Sequence, residues 1–148
     1  YGQRFINSFL DRMPDEIDLY IYAERCAPAV RKTKKNVLVL DHERSLPNMV
    51  EFKKKYKNDP RATGMGPDKK RLDHRKAFKW DAIKFCNKVY AVCDAARRAE
   101  QAGVDVLIWM DADSYVHTDM PMSFLDKFVP EDIFTAFLGR GHKYTECG

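Results

Sequence analysis

Asp111-Ala112-Asp113 is the only Asp-x-Asp step in this 148-residue chain. One residue between the two carboxylates lets both reach a single hard cation. Mg2+ or Mn2+ suits such a donor set, because either ion takes carboxylate and phosphate oxygens while keeping some waters. A cation held there neutralises charge on a leaving diphosphate. As a bare pattern the step means little, since 15 Asp in 148 residues give about 1.5 copies by chance. Its position carries the weight. Val104 to Met110 (VDVLIWM) is nearly all apolar and reads as a central strand. The two carboxylates are then expected at the carboxyl end of a sheet, where open α/β sheets bind ligands.

The competing reading is a turn after a strand, where Asp is favoured because its side chain bonds nearby backbone. Asp119, two residues before Pro121, fits that role as a helix cap. His117 and His142 stand alone and read as surface residues. Cys26, Cys86, Cys93 and Cys147 form no CxxC pair and have no His at zinc-ligand spacing. They are expected to be buried, reduced and structural, which favours a cytoplasmic compartment.

The net charge of +4 is modest, but its distribution is uneven. Residues 61–88 hold nine Lys/Arg against three Asp, whereas residues 104–148 hold three Lys/Arg against eight Asp/Glu. A basic stretch beside an acidic one suits a site that takes a polyphosphate and a cation together. The Lys runs lie in different predicted elements with no recognised module, which argues against nucleic-acid binding. No run of about 18 apolar residues exists, so nothing in this chain is expected to span a bilayer.

The elements that must position these residues follow from periodicity. Phe5, Ile6, Phe9, Leu10 and Met13 form one stripe on a helix that Pro14 stops. Ile17–Tyr22 and Val37–Leu40 read as strands covered on two faces, joined by a solvated basic connection at 31–35. Pro47 opens a helix carrying Met49, Phe52 and Tyr56 inward. Residues 58–72 read as a loop. Phe78, Ala82, Phe85, Val89, Val92, Ala96 and Ala99 recur at helical spacing, which predicts a long helix with this stripe buried and Gly103 ending it. Pro121 to Phe128 reads as a short helix and Ile133 to Leu138 as a further strand. Helices alternating with apolar strands predict an α/β fold with a mostly parallel sheet covered by helices on both faces.

In three stretches, FKWDAIKFCNKVYAV (78–92), DVLIWMDADSYVHTDMP (105–121) and FLGRGHKYTECG (137–148), the chain resembles the GT-A-fold glycosyltransferases. These stretches cover about half of it, in the order helix, apolar strand, DxD, short helix, strand. The resemblance implies a Rossmann-like nucleotide-sugar-binding domain and a UDP- or GDP-sugar donor, used with Mn2+ or Mg2+. It makes Asp113 the direct metal ligand, and gives Asp111 the metal, directly or through water, or the donor ribose or sugar. Lys84 and Lys88, four apart on one helical face, become candidates for the donor sugar or phosphates, with Arg75 a weaker one. A solvated pair, one member bonded to Asp81, is the plainer reading of the two lysines. Glu146 resembles the acceptor-side acid, a general base in an inverting enzyme.

The chain is expected to be one globular domain over 1–148, and an incomplete one. It begins at Tyr1 without Met, lacks the family's first strand, and ends within a strand-like stretch before the family's acceptor part. Two alternatives compete with transfer to an acceptor hydroxyl. A haloacid-dehalogenase-like phosphatase also places DxD and Mg2+ after an apolar strand, but its motif opens the domain, whereas here 110 residues precede it. A catalytically inactive sugar-nucleotide-binding domain would keep the fold and lose the chemistry.

Overall fold

In the computed structural model, which describes residues 1–64, 81–127 and 129, the first apolar stripe forms helix α1 (Gly2–Arg12). Met13 leaves the helix in an extended conformation, as a residue before proline must. Phe5, Ile6, Phe9, Leu10 and Met13 are all buried, and at about 1.5–3 kcal/mol for each large side chain they dominate their surroundings.

Strand β1 (Leu19–Ala23) pairs with β2 (Val37–Asp41) in a two-stranded parallel sheet. The bond from Leu19 N–H to the Asn36 carbonyl, 2.9 Å, sets the register by matching the start of one strand to the start of the other. Three helices follow: α2 (His42–Ser45), α3 (Pro47–Tyr56) and α4 (Ala82–Gln101). A last helix, α5 (Met122–Leu125), comes after the acidic step. The fold is α/β, with helices alongside a small parallel sheet.

The chain divides into two compact units. The first comprises Tyr1–Ile21, Cys26–Val39 and Asp105–Gly148. Its core joins the buried face of α1 to Leu19 and Val116, with Met110, Met120 and Leu125 packed against it. Lys35 is buried here, its ammonium 2.7 Å from Asp15 and 3.4 Å from the Leu10 carbonyl. The basic connection at 31–35 is therefore not wholly solvated: a buried ammonium is tolerated because a carboxylate and a carbonyl satisfy it. Gln3 brackets Ala29, accepting from its N–H at 2.9 Å and donating to its carbonyl at 2.7 Å.

The second unit comprises Tyr22–Arg25 and Leu40–Val104. Asp41 caps α2, accepting from Arg44 N–H at 2.8 Å. Pro47 opens α3, where its fixed φ suits the first turn. Asp81 caps α4, accepting from Lys84 N–H at 3.0 Å. Met49 of α3 is fully buried, and the Phe52 ring lies 6.1 Å from that of Tyr90 on α4. Gly103 adopts φ 67° and closes a Schellman motif: Val104 N–H bonds the Ala99 carbonyl and Gly103 N–H that of Glu100.

Three expectations need correction. First, α4 does not bury the stripe of Phe85, Val89, Val92 and Ala96. Phe85 and Val89 are 42% and 57% exposed, and the buried residues are Cys86, Ala91, Asp94, Ala95 and Ala99. The buried side chains are mostly small, so the buried face is not the most apolar one. Second, Val104–Met110 is not a strand: Val104, Val106, Leu107 and Ile108 are 41–44% exposed. Apolar composition does not by itself make a ladder, and β1 and β2 are the two strands among the described residues. Third, the three cysteines among the described residues are unpaired but not uniformly buried. Cys86 is, whereas Cys26 and Cys93 are exposed. Phe78, Cys147 and the Ile133–Leu138 segment lie outside the described residues.

Candidate metal centre

The acidic step is held between two anchors of the first unit. Met110 packs against the core on one side. On the other, Val116 is 1% exposed, and its N–H donates to the Ser8 hydroxyl at 3.1 Å while that hydroxyl donates to the Phe5 carbonyl at 2.9 Å. Between them the Ser114 N–H reaches back to the Asp111 carbonyl at 2.9 Å and closes a four-residue turn. Asp111 and Asp113 are thus the first and third residues of one turn. Asp111 is half-buried and Asp113 exposed.

Beside them, the Trp109 indole N–H donates to Asp111 Oδ1 at 2.8 Å. This partner was not foreseen in the sequence. The available signal was a tryptophan two residues before the motif in an otherwise apolar run, because a partly buried indole N–H needs an acceptor. The Arg4 guanidinium lies 4.6 Å over the Tyr115 ring and tethers the far side of the turn to α1.

Asp119 does not cap α5. Pro121 occupies the N-cap without a side-chain bond, and Asp119 instead takes a hydrogen bond from Arg12 at 3.1 Å. A nearby guanidinium satisfies the carboxylate better than a neutral N–H does. His117 is exposed, its Nδ1 2.6 Å from the Thr118 hydroxyl.

Lys84 and Lys88 lie on α4 in the second unit, while Asp111 and Asp113 belong to the first. The Lys84 ammonium sits 3.8 Å from Asp81, so the pairing expected from spacing is present. Glu146, Arg75 and His142 lie outside the described residues.

Asp111 and Asp113 supply carboxylate oxygens, the donor type that a hard divalent ion takes. Among the described residues no group of three His, Cys, Asp or Glu side chains gathers to hold a metal. No helix among them is long and apolar enough to cross a membrane. Comparison of the chain with protein-family models, curated proteins and solved structures gives no significant match.

Proposed function

We propose that this chain carries the donor and metal half of a glycosyltransferase site of the GT-A type. In this reading it moves a sugar from a UDP- or GDP-sugar to an acceptor hydroxyl. The observation that carries the proposal is the closed turn from Asp111 to Ser114, which makes the two aspartates of one Asp-x-Asp step its first and third residues and leaves Asp113 in water. Two aspartates preorganised on one turn, one of them in water, suit the gripping of a cation together with a diphosphate.

Asp111 and Asp113 would hold the Mn2+ or Mg2+. When bound, the ion supplies neutralisation of the charge that builds on the departing nucleoside diphosphate. The remaining work falls to the chain. Lys84 and Lys88 are assigned to the donor sugar or phosphates on the family resemblance. Glu146 is assigned the acceptor hydroxyl proton on the family resemblance. The finer architecture belongs to the same proposal: a Rossmann-like, mostly parallel sheet with helices on both faces.

Calorimetric titration of UDP, GDP and their sugars, with and without Mn2+, tests the reading on the wild type and on Asp113→Ala. Mn2+-dependent binding that the variant loses is the expected result. Binding that ignores both Mn2+ and Asp113 would overturn it, as would turnover of a phosphate monoester in place of the nucleotide sugar.

A further inference from the structure

The hydrogen bond that precedes the acidic turn has a role of its own. We propose that Trp109 is a positioning residue for Asp111, fixing the carboxylate in the orientation that receives a divalent cation and its nucleoside diphosphate. The inference rests on the metal reading of Asp111 and Asp113 given above.

Four points support it. The indole N–H is a donor only, so the 2.8 Å bond between Trp109 Nε1 and Asp111 Oδ1 has one possible polarity, with the carboxylate as acceptor. The two residues are only two apart in sequence, which makes this pairing a local property of the chain. An aspartate carboxylate turns freely about its last bond in water, and a bond from a half-buried ring removes that freedom before any ligand arrives. Finally, a carboxylate offers about four lone-pair sites, so one bond to an indole is compatible with a cation. Partners of this kind typically change metal affinity by about 10–100-fold when removed.

The indole N–H also reports on the bond, so the test need not rely on activity. The chain has two tryptophans, Trp80 and Trp109, and Trp80→Phe assigns their two indole resonances in a 15N-labelled full chain. Titration with Mg2+ in the presence of UDP is expected to move the Trp109 resonance saturably. In calorimetry Trp109→Phe, which keeps a ring and loses the donor, is expected to weaken Mg2+ binding about 10–100-fold. Trp109→His, which restores a ring N–H, recovers part of that loss. A Trp109 resonance that stays put while Mg2+ binds in an Asp113-dependent manner overturns the inference. So does a Trp109→Phe variant that binds as the wild type does. If the wild type binds no Mg2+ with UDP, the metal reading itself has failed. If Trp109→Phe does not fold, the wild-type resonance decides alone.

Discussion

The Tyr22 hydroxyl donates to the Asp94 carboxylate at 2.8 Å, joining the end of β1 to the middle of α4 across 72 residues of sequence. Arg97 and Arg98 bond the same carboxylate at 2.5 and 2.7 Å. One acid on the buried face of a helix is thereby satisfied from three directions, which is what lets it stand among alanines.

Removal of that acid orphans its donors. Asp94→Ala is expected to destabilise the second unit by about 2–3 kcal/mol, less than for a fully buried pair because Arg97 keeps access to water. Urea unfolding followed by circular dichroism measures this. A loss below about 0.5 kcal/mol would mean that the cluster is an ordinary surface ion pair.

The same cluster sets a pH dependence. Burial alone would raise the Asp94 carboxyl, but the hydrogen bonds from Arg98, Tyr22 and Arg97 together hold it below the usual carboxylate value. A group depressed in the folded state gives stability that is fully present above its unfolded pKa, about 4, and lost as pH falls through its folded value. The urea midpoint is expected to decline below about pH 4, and more shallowly in Asp94→Asn. On the alkaline side, burial and then the Asp94 carboxylate push Tyr22 upward. Its contribution is therefore lost as pH rises past the ordinary tyrosine value near 10, and absorbance titration should find one tyrosine ionising after the rest.

Ser8→Ala takes the acceptor from the buried Val116 N–H. An unsatisfied buried donor costs about 1–3 kcal/mol, so a drop of that size in unfolding free energy is expected. Because Val116 is the downstream anchor of the acidic turn, amide exchange should speed up there as well. A variant with unchanged stability and exchange would show that water replaces the hydroxyl.

Gly103→Ala should cost about 1 kcal/mol. A Cβ added there meets nothing within 4 Å, so the penalty comes from the left-handed φ alone. Gly103→Asn, which tolerates that conformation better, should lie between the two in thermal unfolding.

Much of the local structure was legible because it depends on local chemistry. The spacing of Phe5, Phe9 and Met13, the stop at Pro14, the start at Pro47 and the end at Gly103 each follow from one residue's backbone or one helical face. The buried face of α4 was not legible. Phe85 and Val89 look like core residues, but Ala91 and Ala95 are the ones buried, and Asp94 joins that face with Tyr22 arriving from far along the chain. The run at 104–110 failed as a strand for a related reason: a strand is defined by its partner, which composition does not supply. At the acidic turn the residue types pointed to a cation, while the turn itself and the bond from Trp109 depend on a backbone path that residue types do not fix.

The alanine face of α4 also shapes how this chain can vary. Ala91, Ala95 and Ala99 are 2–6% exposed, so there is little room for a larger side chain at any of them. Val89, more than half exposed, should accept polar replacements that a hydropathy profile would forbid. In a saturation library selected for folding, the constrained positions of this helix should be its smallest residues and its one buried acid. Its most conspicuous hydrophobe would drift.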